Sequence, residues 1–144
     1  MLSLQKATVN DLESLAQLYE ELCGEKTDLY KMKENFKLME SNPNYIVLTA
    51  KVDTLVVGSV MGIICLDLVS KCKPFMVIEN VIVKSDCRGR GIGVKLMEEI
   101  EAIGRKRECY YTMFVSGGQR KQAHQFYKAI GYDLELVQGF KKFL

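Results

Sequence analysis

From Val81 the chain reads Val81-Ile82-Val83-Lys84-Ser85-Asp86-Cys87-Arg88-Gly89-Arg90-Gly91-Ile92-Gly93-Val94. An apolar run suited to a strand passes through a loop rich in glycine and arginine. It then enters a segment with Ile92, Leu96, Ile100 and Ile103 at helical spacing. The start of a helix leaves backbone N–H groups without partners and carries the positive end of the helix dipole. Arg88 and Arg90 at that end oppose the dipole unless an anion sits there. Glycines 89, 91 and 93 exceed what one turn requires and let backbone approach an anion closely. Strand, loop and helix therefore predict a phosphate cradle, which in turn requires an α/β arrangement around it.

Two familiar phosphate loops are excluded. A nucleotide-triphosphate loop ends in Gly-Lys-Ser/Thr, which is missing here. A dinucleotide fold needs Gly-x-Gly-x-x-Gly after its first strand, whereas these glycines alternate and lie mid-chain.

The flanking sequence supplies the other elements. Leu4 to Ala7 reads as a short strand. Thr8 and Asp11 have capping-box-like spacing ahead of a helix whose buried face is Leu12, Leu15, Leu18, Tyr19 and Leu22, stopped by Gly24. A more polar helix covers residues 27–39, and Ser41-Asn42-Pro43-Asn44 turns the chain into sheet. Residues 45–50 and 55–68 are expected as an antiparallel hairpin about Val52-Asp53-Thr54. Residues 75–83 are a nearly continuous apolar stretch, read as a central strand buried on both faces. Strand character resumes at 110–115. Ala123, Phe126, Tyr127 and Ile130 line one face of a last helix ended by Gly131, and residues 132–144 can add one or two closing strands.

Bulk properties narrow the function. A chain of 144 residues fits one domain, 1–144. Twenty Lys and Arg against 18 Asp and Glu give no global field for nucleic acid or an anionic membrane, and no apolar run is long enough to span a bilayer. Without a secretory leader, and with five cysteines that form neither a disulfide framework nor a Cys-x-x-Cys metal site, a cytoplasmic protein with reduced thiols and no metal is expected.

Arg88-x-x-Gly91-x-Gly93 resembles the Gln/Arg-x-x-Gly-x-Gly/Ala signature of the GCN5-related N-acetyltransferase (GNAT) superfamily. Ala123-His124-Gln125-Phe126-Tyr127-Lys128-Ala129-Ile130-Gly131-Tyr132 is similar to that family's terminal Ala-x-x-Phe-Tyr-x-x-x-Gly-Phe/Tyr segment. Order and separation of the two motifs match as well. The resemblance implies an α/β (α+β) fold, a mixed, mostly antiparallel sheet of six to seven strands flanked by about four helices. It implies transfer of an acetyl group from acetyl-coenzyme A to a primary amine of a small molecule or protein, by direct attack in a ternary complex. Another acyl-coenzyme A, or binding without turnover, are the alternatives. A homodimer through the C-terminal strands is the family habit.

Site residues follow from the same resemblance. Backbone groups of Val81, Ile82 and Val83 would pair with the pantetheine arm, Val81 N–H serving the thioester carbonyl. Arg88, Gly89, Arg90, Gly91, Ile92, Gly93 and Val94 would hold the pyrophosphate. Tyr127 corresponds to the tyrosine that can hydrogen-bond or protonate the departing sulfur, although packing alone also explains an aromatic there. Glu79, in an otherwise apolar strand, is either the acceptor of the amine proton or a structural or outward-facing acid; Asn80 beside it is a candidate for orienting substrate. Many relatives carry Asn where this chain has Arg120, so Arg120, and Ser116 at the end of its strand, are candidate polar contacts to the cofactor. The only histidine, His124, reads as a surface residue, and Cys87 as incidental because nothing near it supplies a base.

Overall fold

The computed structural model describes all 144 residues. They divide into two compact units, Met1–Met113 and Phe114–Leu144. The first unit holds β1 (Leu2–Lys6), α1 (Leu12–Cys23), α2 (Leu29–Glu40), β2 (Tyr45–Val52), β3 (Leu55–Cys65), β4 (Phe75–Val83), α3 (Ile92–Lys106) and β5 (Thr112–Met113). The second holds α4 (Lys121–Ala129).

The sheet runs in the order β1-β2-β3-β4-β5, antiparallel except for the parallel pair β4 and β5. β3 is thus the middle strand, and β4, expected at the centre, is fourth of five. Nor is β4 fully sealed: Met76, Ile78 and Ile82 are buried, while Phe75, Val77, Val81 and Val83 are half-buried. Alternation along β3 decides which helix covers which face. An added Cβ at Gly62 would lie 2.8 Å from Ile100 Cδ1, and one at Gly58 3.0 Å from Leu96 Cδ1, so α3 packs closely on that face because those positions carry no side chain. Ser59, between them, points to the opposite face and meets the Tyr19 hydroxyl of α1 at 3.4 Å. There Leu12, Leu15 and Phe36 form a buried cluster with Ala7, Tyr19, Met32, Val47 and Val56 around it.

Local chemistry sets the element ends. The Asp11 carboxylate accepts from Thr8 N–H (2.8 Å) and the Thr8 hydroxyl (3.1 Å) in a single 3-10 turn ahead of α1. Gly24, at φ 78°, closes α1, and Asp28 caps α2 by accepting from Lys31 N–H. β3 stops at Cys65 rather than continuing to Leu68, because Asp67 Oδ1 accepts from Leu68 N–H (2.7 Å) and Val69 N–H (3.3 Å) and turns the chain.

In the second unit, Phe114 and Tyr127 pack at 4.4 Å between ring centroids, with Phe126 and Tyr132 beside them. The closing strands expected over residues 132–144 do not form, leaving a five-stranded sheet. Asp133 Oδ1 accepts from Glu135 N–H at 2.9 Å, a local bond that competes with a ladder, and Leu136, Val137, Phe140 and Phe143 remain exposed.

Candidate functional site

The path toward the loop begins with a break in β4. Ser59 faces Ile82 and Met61 faces Glu79, so Asn80 and Val81 together oppose Val60, one extra residue in β4. Asn80 takes φ 55°, in the left-handed region that asparagine tolerates better than its β-branched neighbours would. Across the bulge Glu79 shares a face with Met61, and it is exposed. The cost of burying a carboxylate, which drew attention to Glu79, is therefore not incurred.

β5 pairs only with Met76 and Val77. Residues 78–83 have no strand on that side. Lys84 N–H donates to Val57 O at 2.8 Å. Alternation then turns the backbone groups of Ile82 toward β3 and those of Val81 and Val83 toward the bare edge. Ile82 is also buried, so neither its side chain nor its main chain serves that edge.

The loop is held from several sides. Ser85–Cys87 forms a 3-10 turn in which Cys87 N–H donates to Lys84 O (2.9 Å). Ser85 N–H donates to Glu21 Oε2 of α1 at 3.1 Å. Arg88 Nε–H donates to Val83 O at 2.9 Å, and the Arg90 guanidinium to Asp86 O at 3.3 Å. Gly89 and Gly91 have φ 74° and 76°, and an added Cβ at either would meet nothing, so backbone conformation rather than space demands glycine. Gly91 caps α3 without a side chain to satisfy the helix. The first helical bond runs from Lys95 N–H to Gly91 O, which leaves the N–H groups of Ile92, Gly93 and Val94 without helical partners. No acid stands in the first turn of α3. Ile92 anchors this end, its buried side chain lying against Gly58.

Burial first, then the hydrogen bond to Asp86 and its charge, push the Cys87 thiol up, so it is a poor thiolate, in keeping with an incidental role. The Cys87 hydrogen bond, with Lys84 nearby, holds the Asp86 carboxyl below its usual range.

Tyr127, Ser116 and Arg120 belong to the second unit. Burial raises the Tyr127 hydroxyl above its ordinary value, only partly offset by the Arg120 charge, so Tyr127 is protonated at neutral pH. The Ser116 hydroxyl oxygen is sealed from water with no hydrogen-bond partner, an orphan that needs an acceptor or donor from elsewhere. Arg120 stands at the N-terminus of α4, where its carbonyl accepts from His124 N–H (3.1 Å), and His124 is half-buried rather than on the surface.

A model of the acetyltransferase (GNAT) family matches residues 12–132. The chain belongs to that family. Membership marks it as an acyltransferase of the kind that carries an acyl group from an acyl-coenzyme A to an amine. Among solved structures, a putative acetyltransferase from Agrobacterium tumefaciens shares 25% identity at TM-score 0.91, with 99% of each chain covered. Glucosamine-6-phosphate N-acetyltransferase from Arabidopsis thaliana shares the fold at 20% identity and TM-score 0.85, again over 99% of both chains. The aminoglycoside N-acetyltransferase AAC(6')-Iy, solved with coenzyme A, shares it at 17% identity and TM-score 0.83, covering 99% of this chain and 95% of that one. No functionally curated protein sequence matches the GNAT chain described here.

Local pattern disclosed neither the long-range tie of Glu21 to Ser85 nor the shorter bond from Arg88 back to Val83, which depends on the path of the loop. The bulge at Asn80 also went unread, though an asparagine interrupting an apolar strand is the signal that could have shown it.

Proposed function

We propose that this chain transfers an acetyl group from acetyl-coenzyme A to a primary amine of a small molecule or protein, by direct attack within a ternary complex. One observation carries the reading: the bare edge of β4 at Val81 and Val83 leads straight into an uncapped helix N-terminus flanked by two arginines. The residues present fit coenzyme A. Free N–H groups of Ile92, Gly93 and Val94, with Arg88 and Arg90, suit its pyrophosphate, and an unpaired strand edge suits its amide-bearing arm. Ser116, whose hydroxyl lacks a partner, and Arg120, both in the second unit, are proposed on their own chemistry as further polar groups for it.

Acetyl-coenzyme A supplies an acyl group already activated as a thioester. Val81 N–H, on the bare edge, is a donor for the carbonyl oxygen as negative charge builds there. Tyr127, kept protonated by burial, holds a proton that its hydroxyl can give to the departing sulfur. Exposed Glu79 accepts the amine proton, directly or through water, and Asn80 beside it orients the acceptor.

Five unpaired cysteines support a cytoplasmic location. The exposed apolar residues of the C-terminal tail support a homodimer, which light scattering at micromolar concentration would show and a strictly monomeric chain would refute. For the activity itself, release of free coenzyme A thiol is followed across amine classes, with the product identified by mass. Amine-dependent release together with an acetylated amine is expected. Tight binding of acetyl-coenzyme A with no turnover on any amine would show a binding protein instead.

A further inference from the structure

Arg88, a candidate phosphate ligand, also makes a bond within the protein. Its Nε–H donates to Val83 O at 2.9 Å, and no protein acceptor takes its terminal N–H groups. Val83 is the last residue of β4, and its carbonyl lies on the bare edge, the same edge that carries the Val81 N–H. The geometry points to Arg88 as a positioning residue, a latch that ties the phosphate loop to the end of β4 and fixes the spacing between the strand edge and the start of α3. This rests on the proposed coenzyme A site.

The physical argument is one of attachment. Between Val83 and Gly91 the chain makes a short turn and two left-handed glycine steps, conformations that are costly to order and easily lost. The main-chain bond from Cys87 to Lys84 holds the turn to its own start. Glu21 holds Ser85, at the loop's beginning. Arg90 bonds Asp86, within the loop. Among these ties, the bond from Arg88 to Val83 alone runs from the far half of the loop back to the strand. Because Nε is used, the guanidinium plane is oriented and its remaining donors form a fixed fork. It also occupies one of the two acceptor positions of Val83 O on that edge, beside Val81 and the N–H of Val83.

Two substitutions separate latch from charge. In Arg88→Gln the amide nitrogen occupies the place of Nε, so the bond to Val83 O is kept while the charge is lost. In Arg88→Lys that place becomes a methylene, and the charge is kept without the fork. Amide hydrogen exchange of Ser85 and Cys87 in the free chain reads the latch without any ligand. Exchange should be near wild-type in Arg88→Gln and faster by about tenfold or more in Arg88→Lys, the worth of one charge-assisted hydrogen bond. Calorimetric titration with coenzyme A should show Arg88→Lys weakened at least as much as Arg88→Gln. If Arg88→Lys exchanges and binds like wild-type while Arg88→Gln binds poorly, Arg88 acts by charge alone and the latch is refuted. If wild-type binds no coenzyme A, the proposed function fails, and the exchange comparison still decides whether the latch exists.

Discussion

Lys51 Nζ lies 2.6 Å from Asp11 Oδ1, with the two side chains 14% and 7% exposed, and this ion pair fastens the turn before α1 to β2. Burial acts to raise the Asp11 carboxyl. The hydrogen bonds from Lys51 and from the Thr8 N–H and hydroxyl outweigh it and hold the carboxyl below its ordinary 3.8. Unfolded Asp11 titrates near 3.8 and folded Asp11 lower, so the stabilisation is complete above 3.8 and is lost as pH falls through the folded value. Melting temperature should drop below that pH, and the drop should be shallower in Asp11→Asn. Lys51→Met at neutral pH strands a buried carboxylate and should cost about 3–5 kcal/mol in denaturant unfolding.

Gly62 is needed for the approach of α3. A Cβ there would lie 2.8 Å from Ile100 Cδ1 and 2.9 Å from Cγ1, and Ile100 is fully buried with nowhere to retreat. Gly62→Val should therefore destabilise the chain by about 1–3 kcal/mol through overpacking, visible as a lower denaturant midpoint with an unchanged slope.

Arg90 is exposed, bonds only a neighbouring carbonyl and stands beside the uncapped end of α3. Arg90→Glu should leave melting temperature within a degree or two, since surface charge changes cost roughly 0.5 kcal/mol or less. Coenzyme A affinity should fall about tenfold or more, as a charge-assisted contact is replaced by repulsion. Equal affinity in calorimetry would remove Arg90 from the site.

Much of the local geometry of this loop is legible in the sequence, and the reason is physical. A helix start that needs free N–H groups, glycine φ values and local charge is written in consecutive residues, Arg88 to Gly93. Strand order is not local. Nothing within residues 75–83 says that β4 lies fourth or that β5 stops after two residues, because that depends on what pairs alongside. The alternation of Leu134, Glu135 and Leu136 likewise shows only that a strand could form, and the Asp133 turn decides otherwise. Glu79 lies in the strand expected for it but does not bear the cost expected, since alternation sets it with Phe75 and Val77 on the less buried face, where it is exposed.

Tyr127→Phe keeps the ring packed against Phe114 and removes only the hydroxyl. Losing a general acid should lower turnover by about 100-fold or more, while stability changes by about 1 kcal/mol. Glu79→Gln should slow the reaction near neutral pH and recover partly as pH rises and more of the amine is already neutral. Pre-steady-state kinetics with the chemical step isolated checks both. Unaltered chemistry in Tyr127→Phe would assign that residue to packing, and an unaltered pH–rate profile in Glu79→Gln would place the base elsewhere.

Amide NMR during titration with coenzyme A tests the placement of the cofactor most directly. The N–H signals of Val81 and Val83, on the bare edge, and of Ile92, Gly93 and Val94, at the head of α3, should shift together with one saturation curve. Those of Ile82, turned toward β3, and of β1 should stay nearly still. Saturable binding that leaves Val81, Val83 and the first turn of α3 unmoved, or no binding at all, would contradict the account.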